Sequence, residues 1–414
     1  MKKMQRPETL RQFYNLMFET ATIRAGFVNA YLEHDTPGQK GVSKTVEGKL
    51  AALAAALECL RGIPRENDRY RLRLGTEGAV ELDLSYEITE LEKDLYFFSH
   101  TEEEFAAYLE ELHPGLTRQV GEGLRFLKGN GFRVFVTDRD GTVNNYCGRY
   151  RSSIQSAYNA VFLTRFALRA VEHAVILTSA PLAGDGLIDI SVTPPGAFIY
   201  AGSKGREFLR ENGTVSRYTI EREKQQMLDR LNERLSNLVK RPEYESFALI
   251  GSGLQFKFGQ STIARQDISG SIPVKESEIF LGTVRSMVEE LDPQTRHFRI
   301  EDTGKDIEII LTVQSEEGGL KDFDKGDGVS FLNGELGLHM ERGPNLICGD
   351  TGSDIPMVTA SVGRTKETWT IFVTDDEELR AAVRDACPNA LFLSEPDMLV
   401  SLLNACAMKD DAYV

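Results

Sequence analysis

Two short segments carry carboxylates at spacings that could work together on a phosphate. Asp138-Arg139-Asp140-Gly141-Thr142 follows the apolar run Val134-Phe135-Val136, and Gly349-Asp350-Thr351-Gly352-Ser353-Asp354 follows Leu346-Ile347-Cys348. Two carboxylates, two residues apart and directly after a buried strand, suit two roles on one phosphorus. The first, Asp138, can attack in line and become an acyl phosphate. The second, Asp140, can protonate the departing alkoxide and then activate water. Gly141 permits a sharp turn, and Thr142 adds a hydroxyl donor on the substrate side.

An anionic nucleophile and an anionic substrate repel each other, so a hard cation is expected between them. Mg²⁺ takes oxygen ligands and keeps several waters. The expected set is Asp138, Asp350 and Asp140, the last through its main-chain carbonyl, with Asp354 orienting a water or a ligand from behind. Thr178, at the end of Ala174-Val175-Ile176-Leu177, can hold a phosphoryl oxygen with its hydroxyl and nearby N–H groups. Lys325, in Phe323-Asp324-Lys325-Gly326-Asp327-Gly328, can pair with the phosphoryl group and with Asp138; Lys321 competes for that role. Singly, each has a plain reading: a solvated Asp-Gly turn, a helix cap, a strand-ending hydroxyl, a surface lysine. Their order, each at the end of its element, argues for chemistry.

The elements that must position these residues follow from periodicity. Apolar runs alternating with helical stretches (Ser153 to Glu172, Asp376 to Ala386) predict a parallel α/β sheet buried on both faces. Ligands bind such sheets at the carboxyl ends of the strands, where all these polar clusters fall. Residues 1–130 predict a mainly helical region (apolar spacing over 8–33 and 46–60, an acidic first turn at Thr101-Glu102-Glu103-Glu104, a helix over 116–128). Within it, Arg71 to Leu84 gives no clear period, and no cluster suggests chemistry. Its stripe of Leu10, Phe13, Leu16, Met17, Phe27, Val28, Tyr31 and Leu32 suits packing on the core or a homodimer contact equally. The stretch from Thr178 to Lys325 is too long for a loop and predicts an inserted α+β domain. Helices are expected over Ile220–Val239 and Lys275–Glu290, with strands at Ala197–Tyr200, Phe247–Ile250 and Glu308–Leu311. The expected division is 1–130 helical region, 131–182 first part of the core, 183–318 inserted domain and 319–414 second part of the core.

Bulk properties narrow the partners. A net charge of −15 disfavours nucleic acid, whose phosphates call for clustered Lys and Arg. Five scattered cysteines with no CxxC pair suit a reducing cytoplasm rather than a disulfide or zinc framework. No apolar run is long enough to span a bilayer, and no signal-peptide pattern opens the chain.

Taken together, the motifs resemble the haloacid dehalogenase-like phosphatase superfamily. Its Asp-x-Asp-x-Thr motif is matched by Asp138 to Thr142, its strand ending in Thr by Val175 to Thr178, and its lysine by Lys325. Its Gly-Asp-x-x-x-Asp motif is matched by Gly349 to Asp354. The resemblance implies a Rossmann-like core, Mg²⁺ and an aspartyl-phosphate. The insertion after Thr178 implies a C2-type cap. Within that class the chain is similar to trehalose-6-phosphate phosphatases and related glycosyl-phosphate phosphatases through Gly202-Ser203-Lys204-Gly205, Gln255-Phe256-Lys257 and Lys325-Gly326-Asp327-Gly328-Val329. It departs from them in Gly349-Asp350-Thr351-Gly352-Ser353-Asp354-Ile355, where they carry Gly-Asp-Asp-x-Thr-Asp-Glu. Thr262-Ile263-Ala264-Arg265 also stands where they have His-Tyr-Arg. The resemblance thus implies hydrolysis of a small sugar phosphate; residues of the inserted region that could hold it are Lys204, Arg206, Lys257 and Arg265, with Lys257 favoured for its place in the apolar run Leu254 to Phe258. Phosphomutase or other phosphoryl-transfer chemistry is the alternative on the same core, and a non-catalytic phosphate-binding protein is another, against which Asp140 speaks.

Overall fold

The computed structural model describes residues 4–33, 44–66, 68–74, 78–210, 212–314 and 320–408. The N-terminal region consists of α1 (Leu10–Glu33), α2 (Lys44–Arg61), the antiparallel strands β1 (Arg65–Glu66), β2 (Arg69–Leu74) and β3 (Gly78–Leu82), then α3 (Ser85–Ser99), α4 (Glu102–Leu112) and α5 (Leu116–Leu127). The stretch that gave no clear period is therefore largely a hairpin. Tyr70, Leu72 and Leu74 point inward and alternate with exposed arginines. The acidic turn at Thr101 is a capping box, with Thr101 and Glu104 each taking the other's backbone N–H.

The core follows as β4 (Val134–Thr137), α6 (Ala157–Arg169), β5 (His173–Leu177), α7 (Leu187–Ile190), β6 (Ile199–Gly202), β7 (Glu207–Leu209) and β8 (Val215–Arg217). The inserted domain holds α8 (Arg222–Leu238), β9 (Leu254–Lys257), β10 (Gln260–Ala264), α9 (Val274–Leu291), β11 (Phe298–Asp302) and β12 (Asp306–Leu311). After the short β13 (Val313–Gln314) and β14 (Leu320–Lys321), the chain re-enters the core as α10 (Lys325–Leu336), β15 (Asn345–Gly349) and α11 (Ile355–Val362). It ends with β16 (Thr368–Val373), α12 (Glu377–Ala386), β17 (Ala390–Leu393) and α13 (Pro396–Ala407).

One sheet of eight strands, in the order β17-β16-β15-β4-β5-β6-β7-β8, carries the core, parallel from β17 to β6 and antiparallel beyond. Along β4 the side chains alternate between the two faces. Val134 and Val136 join Val329, Leu332 and Met357 on one side. Phe135 meets Phe166 edge-on on the other, at 5.1 Å between centroids. The α/β expectation therefore holds, and so does the buried character of both sheet faces.

The N-terminal region is built into this second face. α1 packs on α6 and α5 on α13, and one apolar cluster runs from Phe13 and Leu57 through Tyr158 to Leu402. Leu10, Phe13, Leu16, Met17, Phe27 and Val28 of the α1 stripe are buried within the chain. Packing, not a dimer contact, uses that stripe.

Two expectations are corrected. The inserted domain does not begin at 183: β6 hydrogen-bonds to β5, and β7 and β8 extend the same sheet, so Ala197–Tyr200 leads into a core strand. The insertion proper is α8 to β12, whose four strands form an antiparallel sheet in the order β11-β12-β10-β9. A short apolar run reads the same at a sheet edge as in an inserted sheet, so its sequence does not fix where the insertion begins. Phe247–Ile250 is also not a strand. Its first residues form a 3₁₀ turn over Glu245–Ala248, with Phe247 stacked on Phe280 at 3.8 Å. Among the described residues, no helix is long and apolar enough to cross a membrane.

Candidate active site

The central strand β4 lies between β5 and β15, which enter the sheet from opposite ends of the chain, so a crevice opens beyond their carboxyl ends. Thr137 pairs with Cys348, and the N–H of Asp138 donates to the Cys348 carbonyl at 3.0 Å. Asp138 therefore leaves the sheet beside Gly349 and Asp350. Its carboxylate is buried, and Lys325 Nζ donates to its Oδ1 at 2.7 Å and to Asp354 Oδ1 at 2.5 Å.

Lys325 is the first residue of α10, capped by Asp324, whose side chain accepts the Asp327 N–H at 2.9 Å. The helix can come this close because it meets the loop after β6 at glycine. A Cβ on Gly328 would stand 2.1 Å from the Lys204 carbonyl, and one on Gly205 2.7 Å from Gly328 Cα. The competitor Lys321 has its side chain outside the described residues.

Asp354 anchors the other loop. Its Oδ2 accepts the N–H groups of Asp350 (3.1 Å) and Thr351 (3.0 Å) and the Thr351 hydroxyl (3.1 Å). Asp350 in turn accepts the Thr142 hydroxyl at 2.8 Å. Thr142 is thus committed to a carboxylate, a correction to its expected place on the substrate. Gly141 has φ +89°, and a Cβ there would lie 2.2 Å from Asp350 Oδ2. Glycine is needed at that position both for the turn and for the carboxylate.

Oxygens of Asp138, Asp350 and Asp354 lie within 4.8 Å of one another, the group among the described residues suited to a metal. Burial, with Asp354 and Asp140 nearby, raises Asp138 to about 6 against the pull of Lys325. Burial and the same crowding, from Asp138 and Asp354, raise Asp350 to about 8. Asp354 moves the other way: burial alone would raise it, but Lys325 and the backbone donors hold it below the usual range. Two buried carboxylates and a partly buried one share a single ammonium, leaving excess negative charge in a largely dry place.

Asp140 does not join that cluster through its side chain. Its Oδ1 accepts Arg139 Nη1 at 2.5 Å and the Ser153 hydroxyl at 2.7 Å, with Asn144 Nδ2 at 3.4 Å. Oδ2 has no protein partner among the described residues. Thr178 is buried at the end of β5, its carbonyl accepting the Lys204 N–H at 2.8 Å and its Oγ1 the Ala180 N–H at 3.3 Å.

The expected substrate cations divide into two pairs. Lys204, half-buried at φ +62° in the loop after β6, belongs to the core rather than the inserted domain. Lys257 is buried on β9. Burial lowers its pKa and Lys204 adds to that, while Glu308 and Asp306 oppose it. Arg265 is corrected: it is spent inside the inserted domain on Ser277 (3.0 Å), Asp302 (2.6 Å) and Glu278. Arg206 is corrected likewise, bridging core to insertion by donating to the carbonyls of Gly259 (2.6 Å) and Leu311 (3.2 Å).

Sequence reasoning missed the residues that bond Asp140, namely Arg139, Asn144 and Ser153, and also Tyr86 of α3, which bonds Asn144 in turn. A signal for the last existed. Tyr86, Glu87, Glu90, Lys93 and Asp94 are all buried, and they stand at helical spacing ahead of Phe97 and Phe98. A polar stripe continuing an aromatic one marks a face turned toward other polar groups.

Comparison with known proteins gives a consistent result. A family model for the trehalose-6-phosphate phosphatase C-terminal region matches residues 135–399, and one for its N-terminal helical bundle domain matches residues 9–116. An alpha,alpha-trehalose-phosphate synthase [UDP-forming] of Aphelenchoides avenae is 31% identical over 94% of this chain and 35% of its own length. A trehalose-phosphatase of Brugia malayi is 33% identical over 64% of this chain and 55% of its own. The chain therefore spans about a third of the length of that synthase. Among solved structures, the Aspergillus fumigatus trehalose-6-phosphate phosphatase aligns at 14% identity and a TM-score of 0.41, over 70% of this chain and 97% of that one.

Proposed function

The chain belongs to the trehalose-6-phosphate phosphatase family, and on that premise we propose that it hydrolyses a small sugar phosphate, trehalose 6-phosphate or a related glycosyl phosphate, through an aspartyl-phosphate on Asp138. The observation that carries this reading is the buried Asp138 carboxylate, held by Lys325 beside Asp350 and Asp354, with Asp140 two residues on.

The donor set fits a hard divalent cation, because the repulsion expressed in the raised pKa values of Asp138 and Asp350 is what such an ion relieves. Asp138, Asp350 and the main-chain carbonyl of Asp140 would hold Mg²⁺. Both oxygens of Asp354 are already engaged, so it steadies the site from behind. When bound, the ion would neutralise charge between nucleophile and phosphate and polarise a phosphoryl oxygen.

The remaining work falls to side chains. Asp138 attacks phosphorus as the bond to the sugar oxygen breaks, and that oxygen takes a proton from Asp140. Asp140, now a carboxylate, removes a proton from the water that releases phosphate and regenerates Asp138. Lys325 and Thr178 hold phosphoryl oxygens, supplying positive charge where negative charge spreads. Lys204 and Lys257, one from the core and one from the cap, offer cations to the substrate. The five thiols, none bonded to another, suit the cytoplasm as the compartment.

Phosphate release from trehalose 6-phosphate, sucrose 6-phosphate, glucosylglycerol phosphate and hexose phosphates tests the reading, with Mg²⁺ or a chelator. The expectation is Mg²⁺-dependent release that falls by at least about 10³-fold in Asp138→Asn. Release indifferent to the substitution would overturn it, and the preferred compound names the sugar.

A further inference from the structure

Asp140 is steadied by groups from its own loop, and that loop is tied to a helix of the N-terminal region. Ser153 Oγ donates to Asp140 Oδ1 at 2.7 Å, and Asn144 Nδ2 lies 3.1 Å from Ser153 Oγ. Asp140, Asn144 and Ser153 lie on one stretch between β4 and α6, so their mutual hydrogen bonds fasten the loop to itself. The tie to a separate frame comes from α3. The Tyr86 hydroxyl accepts from Asn144 Nδ2 at 3.0 Å and donates to the Ile154 carbonyl at 3.0 Å. On the same face, Glu90 accepts Asn145 Nδ2 at 2.9 Å, and Glu87 accepts Arg149 Nη2 at 2.8 Å and 3.0 Å. The helix thus grips the loop at Asn144 and Asn145 on one side, and at Arg149 and Ile154 on the other.

We propose that Tyr86 is a positioning residue for Asp140, making α3 of the N-terminal helical region part of the catalytic unit; this rests on the reading of Asp140 as the group that moves the proton. Tyr86 is buried, and burial keeps its hydroxyl protonated, so it acts as a neutral donor and acceptor. Phenylalanine would fill the same space but remove this link, leaving the Asn144 amide only acceptors of its own loop, Asn145 O, Ser153 Oγ and Asp140 Oδ1, and the Ile154 carbonyl only the longer bond from Arg24 at 3.5 Å. The loop would loosen, and Asp140 Oδ2 would lose its fixed direction. A small misplacement at a reacting centre costs rate rather than binding.

The test uses the leaving group. A sugar alkoxide needs a proton as its bond to phosphorus breaks; p-nitrophenolate does not. In the full-length chain with Mg²⁺, the first turnover is followed on trehalose 6-phosphate and on p-nitrophenyl phosphate, for wild type, Tyr86→Phe and Asp138→Asn. Tyr86→Phe is expected to slow the sugar release by about tenfold, a fraction of a full acid–base contribution, with KM and the nitrophenolate burst within about twofold of wild type. Equal slowing on both substrates, or on neither, overturns the proposal. A burst that survives Asp138→Asn sinks the reading of the site itself, which is a separate outcome. Asn144→Leu breaks the same tie from the other side, so its loss should not multiply with that of Tyr86→Phe; losses that multiply count against the proposal even if one variant folds poorly.

Discussion

Side chains beyond the carboxyl ends of the core strands are fixed by close neighbours, and beside Asp350 the close approach depends on a glycine. That residue is Gly141, since the space its missing Cβ would fill belongs to Asp350 Oδ2, 2.2 Å away. Gly141→Ala is expected to displace that carboxylate and weaken Mg²⁺ binding by about 10- to 100-fold, as disturbed metal shells do. A Mg²⁺ titration of phosphate release checks this: the half-saturating concentration should rise while the rate at saturating metal changes little. An unchanged titration would mean that Asp350 does not hold the ion. Residue types and order made Asp138, Asp350 and Lys325 readable in advance, because each stands at the end of its element. The partners of Asp140 were not readable. Asn144 and Ser153 look like ordinary loop residues, and only the folded loop brings their side chains to one oxygen. Arg265 misled for the opposite reason, since a cation in sequence carries no sign that three cap groups already engage it.

Elements here are joined by buried charge as well as by apolar contact. Lys93 of α3 reaches Glu90 at 2.5 Å and Asp397, at the start of α13, at 2.8 Å; His113 adds 2.7 Å to the same carboxylate, and Tyr158 also bonds it. Burial alone would raise Asp397, but Lys93, His113 and Tyr158 pull its carboxyl well below the usual carboxylate range. A carboxylate with a lowered folded pKa adds stability above its unfolded value of about 3.9 and loses it as pH falls toward the folded value. Asp397→Asn is therefore expected to cost about 3–5 kcal/mol at neutral pH, the loss typical of a broken buried pair. Urea unfolding of the variant should also weaken less than wild type between pH 5 and about pH 3. Equal acid sensitivity in the two proteins would show that Asp397 is not a source of it. Helices such as α1, α5, α8 and α9 were legible from their apolar spacing, and β4, β5, β15 and β16 as apolar runs ahead of polar clusters, whereas α3, α11, α13 and β17 gave no signal that was read. Nor were β6 to β8 legible as core strands, since a sheet edge and an inserted sheet use the same short runs.

At the scale of the whole molecule, three parts bear on one site. The core supplies Asp138, Thr178 and Asp350 from the ends of its strands and Lys325 from α10, and Lys257 of the inserted domain lies near enough to the core residue Lys204 for the two charges to act on each other. The N-terminal helical region lies behind, sharing the apolar cluster of α6 and α13 and holding the Asp140 loop through α3. The polar stripe of α3 stands in the sequence at helical spacing, but what it faces is given only by the fold. The arrangement accounts for the buried Glu87 and Glu90 of α3, which bond Arg149 and Asn145 of that loop: an apolar face alone could pack on the core, but it could not hold a polar loop in register.

The most direct test of the central claim is to catch the covalent intermediate. The full-length chain, mixed with Mg²⁺ and a sugar phosphate labelled at phosphorus, is quenched in acid within one turnover, digested and mapped by mass spectrometry. The account predicts phosphate on Asp138, labile to hydroxylamine and absent from Asp138→Asn. It also predicts accumulation in Asp140→Asn when a p-nitrophenyl leaving group bypasses the need for an acid. Turnover with no label on the chain, or with label on any residue other than Asp138, would contradict it.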